Sequence, residues 1–243
     1  MTFPVTPVAV NICMKRRAQL VVKRLADIAI ASLSLALVSP LLPLLALVIR
    51  LESPGPVIFR QLRSGRNGVP FHMFKFRSMY QGVPHLRNAD GSAYVGRNDS
   101  RVSRVGRWLR EFSLDELPQL FNVLAGEMSI IGPRPEKPDY TEELPSWALE
   151  KLQFRPGCLS LPLIHGRNDL PWVERNKLDV FYVRNYTLWL DLRILVKGLW
   201  SMFVTRAGVY CSAERSADAI VPQTHEKKVE AVVSQSFTKE QNN

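Results

Sequence analysis

Between Asp27 and Arg50 no residue is charged, and Leu, Ile, Ala and Val fill most of the positions. About 20 apolar residues make a helix that spans a bilayer, so this run has the length to span. Pro40 and Pro43 interrupt its middle, each removing a backbone donor and crowding the preceding turn. Ser39 carries a hydroxyl able to satisfy a freed carbonyl. Lys15, Arg16, Arg17, Lys23 and Arg24 precede the run, and Arg50, Arg60, Arg63, Arg66, Lys75 and Arg77 follow it. An excess of Lys and Arg marks the cytoplasmic side of a membrane segment, and here both flanks have one. A helix that enters the bilayer, breaks at Ser39-Pro40 and leaves on the same face reconciles these facts. One kinked spanning helix is the alternative. A cleaved signal peptide fits poorly, because the run is long, begins late and lacks a small-residue cleavage site.

Downstream the pattern changes. Residues 57–79 alternate apolar and polar positions around Gly65 and Asn67-Gly68, which predicts a β-hairpin. Residues 80–98 are rich in turn formers and read as a surface loop. Helices are expected over 101–109, after Asp115, over 147–154 and over 172–186, with Pro133, Pro135 and Pro138 closing the second. In 187–203, Leu188, Trp189, Leu192, Leu195, Val196, Leu199, Trp200 and Phe203 recur at helical spacing, with Arg193 and Lys197 off that stripe. Such a helix suits either a membrane interface or a core. The elements read from the pattern are thus mostly helices, with one small hairpin and a broken apolar segment. Four regions are expected: a flexible N-terminus over 1–14, the re-entrant segment over 15–50, a folded domain over 51–212, and a disordered polar tail over 213–243.

Composition narrows the partners. The 243 residues carry a net charge of +10, which favours anions: phosphorylated metabolites, a membrane surface or nucleic acid. Cys13, Cys158 and Cys211 lie too far apart for a zinc or disulfide framework, and His72, His85, His165 and His225 show no metal-ligand spacing. Neither a phosphate-binding Gly-rich loop ending in Lys-Ser/Thr nor a Gly-x-Gly-x-x-Gly motif is present.

The chemistry concentrates between Arg110 and Pro135. Asp115 and Glu116 stand side by side before an apolar helix, with Arg110 upstream and the stiff Gly132-Pro133-Arg134-Pro135 segment one helix later. Ser113-Leu114-Asp115-Glu116 also matches a capping box, which needs no catalysis. Pro118 disfavours Ser113 as N-cap and is tolerated with Asp115 there. In either register a carboxylate sits at the positive end of a helix and is expected to stay ionised. Arg101, Arg104, Arg107 and Arg110 recur every third residue, as on one helical face. Lys75 and Arg77 belong to the second hairpin strand, and Arg134 is held between prolines as a pre-organised anion contact.

Several long motifs stand in order: Ser53-Pro54-Gly55-Pro56, Lys75-Phe76-Arg77-Ser78-Met79, Arg104-Val105-Gly106-Arg107-Trp108-Leu109-Arg110, Ser113-Leu114-Asp115-Glu116-Leu117-Pro118-Gln119, Gly132-Pro133-Arg134-Pro135, Gly166-Arg167-Asn168 and Leu188-Trp189-Leu190-Asp191-Leu192. With them the chain resembles the bacterial sugar transferases that act on polyprenyl phosphate, the monotopic phosphoglycosyl transferases, over roughly residues 23–210. The resemblance implies an α/β, mostly helical fold with a small hairpin and interfacial amphipathic helices, a re-entrant anchor broken at Ser39-Pro40, and residues 51–212 as a catalytic domain at the cytoplasmic face of the bacterial inner membrane. It implies that Asp115 attacks the sugar-bearing phosphate of a UDP-sugar, releasing UMP and forming a sugar-phosphoryl-aspartate. Polyprenyl (undecaprenyl) phosphate then takes the sugar phosphate, giving polyprenyl-diphosphate-sugar.

Magnesium is the implied cofactor, held by Asp115 and Glu116. Lys75, Arg77, Arg110, Pro133, Arg134, Pro135, Arg167 and Asn168 are the implied substrate and phosphate contacts. The implied role is the first membrane step of exopolysaccharide, capsule, O-antigen or glycoprotein glycan assembly. Partners are membrane lipids and the two substrates, with no nucleic acid and with room for a homodimer. One stretch departs from the family pattern. Where the family reads Lys-Pro-Gly-Ile-Thr-Gly-Leu-Trp-Gln, this chain reads Arg155-Pro156-Gly157-Cys158-Leu159-Ser160-Leu161-Pro162-Leu163, so the contacts of that loop do not carry over. The rival reading is a membrane-tethered basic module without chemistry, which would release no UMP from a UDP-sugar.

Overall fold

The computed structural model describes residues 14–84, 86, 87, 94, 96, 99–166, 170–201, 221 and 222. Met14 apart, the expected flexible N-terminus lies outside the described residues, as does the 213–243 tail except Val221 and Pro222. His85, His225, Cys13, Cys211, Arg167 and Asn168 are outside them too.

Helix α1 (Met14–Val38) is separated from α2 (Leu41–Glu52) by a break at Ser39-Pro40, and the two axes bend by 64°. Among the described residues no single helix is long and apolar enough to cross a membrane, but this bent pair is so in combination. The break has a local cause. Pro40 has no N–H to give Ala36 O, and the Ser39 hydroxyl donates to that same carbonyl at 2.9 Å. Pro43 is the third residue of α2, where a helix N–H has no intrahelical acceptor, so in the broken geometry it costs no hydrogen bond.

The N-terminal half of α1 is fastened to the globular body by polar side chains. Lys23 pairs with Asp191 at 2.7 Å, and Arg24 donates to Val123 O and Leu124 O. Asp27 accepts from the Ser129 hydroxyl and from Ile130 N. Lys23 and Arg24 are thus docking groups as well as flanking charges.

The hairpin forms as the alternation predicts. Strand β1 (Ile58–Ser64) pairs antiparallel with β2 (Pro70–Phe76), from Ile58 opposite Phe76 to Ser64 opposite Pro70. Asn67 and Gly68 take positive φ in the turn, as an Asn-Gly pair permits. The short β3 (Leu86–Arg87) pairs with residues 221–222. Helix α3 (Arg104–Glu111) is capped by Ser103, whose hydroxyl accepts from Gly106 N. Next come α4 (Gln119–Ala125), β4 (Ser129–Ile131), α5 (Pro138–Glu142), β5 (Gly157–Leu159), α6 (Trp172–Arg184) and α7 (Leu188–Trp200); residues 221–222 form β6.

Four expectations need correction. Arg101 does not share a helical face with Arg104, Arg107 and Arg110; it precedes the N-cap and is buried in a two-nitrogen ion pair with Asp99. Ser113 and Asp115 both fail as N-cap of α4, because a 3-10 turn (Leu114–Glu116) comes first and Pro118 occupies that position. Residues 146–153 form a 3-10 helix rather than an α-helix. Finally, β4 and β5 form a parallel pair where strands are absent from the sequence reading. Each is three residues long, too short to show a period.

The main core joins Ala31 of α1, Phe71 and Met73 of β2, Val123 of α4, Ile130 and Ile131 of β4, Tyr182 of α6 and Ile194 of α7. A smaller cluster packs Leu45 and Ile49 of α2 against Phe76 and Leu109. The divergent stretch after Arg155 belongs to the main core: Leu159, Leu161 and Leu163 are all buried in it. Helix α7 has two apolar faces. Ile194 is inside the core, while Trp189, Val196 and Trp200 are more than half exposed on the other side.

Candidate active site

Three elements converge on Asp115. Ser113 adopts a left-handed conformation (φ 55°), which turns the chain out of α3 and into the 3-10 turn carrying Asp115 and Glu116. Strand β2 brings Lys75, whose ammonium donates to Glu116 Oε1 at 2.8 Å. Helix α3 brings Arg110, oriented by a hydrogen bond from its Nε to the Ser78 hydroxyl at 2.9 Å. Asn122, fully buried on α4, locks this turn to the hairpin: it accepts from Phe74 N and donates to His72 O and to Glu127.

Asp115 is buried, and burial is the main reason its carboxyl rises from 3.8 to about 6. Lys75 and Arg110 pull it down, and the neighbouring Glu116 pushes it up. The result differs from the sequence expectation of a carboxylate stabilised by a helix end. At neutral pH Asp115 is still mostly ionised, but in a poorly solvated place. That is the condition in which a carboxylate is a nucleophile rather than a solvated surface charge.

The Gly132-Pro133-Arg134-Pro135 segment is held from below. Gly132 N donates to Leu159 O and Gly157 N to Pro133 O. A Cβ on Gly132 would collide with Arg155 O, and one on Gly157 with Gly132 N, so both positions require glycine. Arg134 N donates to Asp179 Oδ2, and Pro135 O accepts from Arg63 Nη1 at 3.0 Å. Behind the segment Lys151 is buried between Glu136 (3.1 Å), Asn176 (2.5 Å) and Asp179 (3.8 Å). Burial lifts the Asp179 carboxyl to about 7, against the pull of Lys151.

The structure thus brings Lys75, Arg110, Asp115 and Glu116 together and gives Arg134 a fixed backbone. Arg77 goes elsewhere. Its guanidinium donates to Ser53 O, the Ser53 hydroxyl, Pro54 O and Ile49 O, closing the C-terminus of α2. Arg63 is a site residue absent from the sequence reading. It lies in the field of Glu116, Glu136 and Arg134, and burial lowers it to about 10, so it stays cationic at neutral pH. Its position was readable: Arg63 and Lys75 occupy same-face positions of the paired strands, opposite Phe71 and Phe59.

Among the described residues no group of three or more His, Cys, Asp or Glu could enclose a metal ion. Two adjacent carboxylates still fit magnesium, which binds through one or two carboxylates and takes its other ligands from water and substrate phosphates. Burial, the main cause of the raised Asp115, leaves its carboxylate short of the solvation that a bound cation would replace.

A family model for bacterial sugar transferases matches residues 18–205. The chain is 44% identical over 194 residues to a Caulobacter vibrioides protein named UDP-glucose:undecaprenyl-phosphate glucose-1-phosphate transferase, covering 75% of this chain and 70% of that one. It is 40% identical over 196 residues to a Klebsiella pneumoniae protein of the same name, covering 77% of this chain and 41% of the relative. A third relative, from Aeromonas hydrophila, is named UDP-N-acetylgalactosamine-undecaprenyl-phosphate N-acetylgalactosaminephosphotransferase; it is 40% identical over 183 residues, 72% of this chain and 42% of its own length. Two of these relatives are therefore more than twice as long as the segment they share with this chain. The matched segment contains the bent helix pair, the hairpin and the Asp115 turn, and on that evidence the chain belongs to the bacterial sugar transferase family.

Proposed function

We propose that this chain transfers a sugar 1-phosphate from a UDP-sugar to polyprenyl phosphate, through a covalent intermediate on Asp115. The observation that carries the reading is the buried Asp115 carboxylate beside the Lys75–Glu116 pair and Arg110. A carboxylate oxygen of Asp115 attacks the sugar-bearing phosphorus. The bond from that phosphorus to the bridging oxygen breaks, and its electron pair leaves on UMP. An oxygen of polyprenyl phosphate then attacks the same phosphorus, and the electron pair returns to the Asp115 carboxylate. Splitting the displacement in two lets one pocket serve a soluble donor and a lipid acceptor in turn.

Lys75, Arg110, Arg63 and the Arg134 segment supply fixed positive charge for the crowded phosphates. Asp115 and Glu116 would hold Mg²⁺, which when bound neutralises phosphate charge and assists UMP departure. The sugar is a hexose whose identity the Asp115 turn does not set, since relatives named for glucose and for N-acetylgalactosamine are similarly close to this chain.

The same reading seats α1–α2 in the cytoplasmic leaflet of a bacterial inner membrane, entering and leaving on one face. The 64° bend, the basic residues at both ends and the exposed Leu25, Leu33, Leu37, Leu44, Leu47 and Leu51 support it. The outer face of α7, with Trp189 and Trp200, suits the headgroup level. The test is UMP release from a panel of UDP-sugars by the reconstituted chain with polyprenyl phosphate. UMP release with at least one donor, and its loss in Asp115→Asn, is expected. A chain that releases no UMP with any donor, yet binds anionic membranes, fits the module without chemistry instead.

A further inference from the structure

A second basic site lies away from Asp115, where α1 meets the body. A cavity of about 50 Å³ is lined by Lys23, Arg24, Asp27, Arg66, Phe154 and Arg155, among others. Two of its charged groups are already matched: Lys23 to Asp191, and Asp27 to Ser129 and Ile130 N. Three guanidiniums remain. Arg24 is anchored on Val123 O and Leu124 O, Arg155 by its Nε on Gly126 O, and Arg66 by its Nε on Gln153 O. Among the described residues the Nη groups of Arg66 and Arg155 have no hydrogen-bond acceptor.

Like charge is gathered here, with Asp27 as the carboxylate that partly offsets it at Arg155. Burial lowers Arg155, Arg66 and Arg24 lower it further, and only Asp27 acts the other way. The space is small, with charged and apolar walls, and roomy enough for several waters, since one water needs about 10–15 Å³. A tetrahedral phosphate group has comparable bulk and matches planar guanidinium donors.

We propose that Arg24, Arg66 and Arg155 bind the phosphate of a lipid headgroup at the foot of α1. The turns of α1 that line the cavity also expose Val21, Val22, Leu25 and Ile28, so acyl chains have an apolar surface beside the phosphate. The Lys23–Asp191 pair brings in the start of α7, with its exposed Leu188, Trp189 and Leu192. The inference rests on the membrane placement of α1–α2 given above. Its role would be to fix the depth and tilt of the anchor, separately from the donor pocket.

The test uses the full chain in nanodiscs of phosphatidylcholine with a minority of phosphatidylglycerol, counting retained phosphatidylglycerol by native mass spectrometry. In parallel, soluble short-chain phosphatidylglycerol and inorganic phosphate are titrated into the detergent-solubilised chain. Arg24 is left intact because it ties α1 to α4. Arg66→Gln/Arg155→Gln should weaken phosphatidylglycerol binding about thirtyfold, the scale expected when two basic charges near an anionic headgroup are removed. Lys177→Gln/Arg184→Gln, which removes the same charge from exposed positions of α6, should bind as the parent does. Arg66→Lys/Arg155→Lys keeps the charge but loses the planar donors, and should bind between the parent and the glutamine pair. Inorganic phosphate binding as tightly as the short-chain lipid would keep the site and make its occupant free phosphate.

Parent-like binding by the glutamine pair overturns the proposal. So does a lysine pair as weak as the glutamine pair, because the arginines would then serve only the Gly126 and Gln153 carbonyls. A chain that fails to enter nanodiscs sinks the membrane reading instead, while the detergent titration still reads the site.

Discussion

Leu33, Leu37 and Leu51 on the α1–α2 pair are 73, 81 and 77% exposed, whereas Asp115 on the nearby 3-10 turn is 8% exposed and Asn122 on α4 is 0%. Apolar side chains stand outside in the first region and polar ones inside in the second, the reverse of an ordinary soluble domain. Each leucine left in water forgoes about 2 kcal/mol of burial, so a continuous row of them calls for an apolar surrounding. A buried carboxylate forgoes solvation, and its neighbours Lys75 and Arg110 only partly replace it. Under the proposed function the two regions answer to different solvents: the helix pair to lipid, the Asp115 turn to the phosphates of its substrates. Arg77 and Glu52 join them. Arg77 closes α2 from the hairpin, and Glu52 at the end of α2 accepts from Val105 N at the start of α3.

The largest effect is expected from Asp115→Asn, which removes the buried charge while keeping its shape. Turnover should fall by about 10⁴-fold or more, as for loss of a nucleophile. Stability should move the other way. The folded carboxyl titrates at about 6 and the unfolded one at 3.8, so between these values the folded state holds more protons. Parent stability therefore declines as pH rises through that window, and the uncharged variant escapes the decline. At pH 7.5 the variant should be more stable by up to about 3 kcal/mol, the cost of holding a carboxyl at about 6 rather than 3.8. Thermal denaturation at pH 4 and 7.5 measures this. A variant less stable than the parent at pH 7.5 would mean that Asp115 is a structural anchor.

Glu116→Gln comes next. It deprives Lys75 of its partner and the site of its second carboxylate. Turnover should drop about a hundredfold, with a higher magnesium concentration at half-maximal rate. Parent-like behaviour across a magnesium titration would reduce Glu116 to a turn residue.

A smaller effect sharpens the electrostatic half of the comparison. In the parent, kcat/KM for the UDP-sugar should decline below about pH 6 as Asp115 takes up a proton. Lys75 holds that carboxyl down, so Lys75→Gln should move the acid limb to higher pH as well as lowering the plateau. An unmoved limb would assign it to another group.

The polar interior was only partly legible in the sequence. Lys75, Arg110, Asp115 and Glu116 stood out because their motifs are long and ordered. Arg77 belongs to the same motif, yet its guanidinium caps α2, a contact no spacing within the motif encodes. The Lys151, Glu136 and Asp179 network was invisible, because its members come from three segments, residues 136, 151 and 179, joined only by the fold. The anchor break was legible from Ser39 and Pro40 because its cause is local, and so was the hairpin from Asn67-Gly68. Strands β4 and β5 were not, since pairing rather than periodicity defines them.

The smallest effect on chemistry is expected from the anchor. Ser39→Ala/Pro40→Leu restores the donor to Ala36 O and should straighten the pair toward a continuous span. A mixed topology is expected, because Lys15, Arg16 and Arg17 oppose translocation of the N-terminus. Activity should fall several-fold, not vanish. Labelling of single cysteines placed near Lys15 and near Gln61 in intact cells reads the topology. If both ends stay inside with full activity, Pro43 alone maintains the bend.

The central claim, a covalent phosphosugar on Asp115, is tested most directly by intact-protein mass spectrometry. The purified chain is incubated with its UDP-sugar and magnesium, without polyprenyl phosphate, and quenched. The parent should gain the mass of one sugar phosphate, localised to the peptide bearing Asp115, and lose it when polyprenyl phosphate is added. Asp115→Asn should gain nothing. An adduct of the same mass on Asp115→Asn, or steady turnover by a parent that never carries one, would contradict the account.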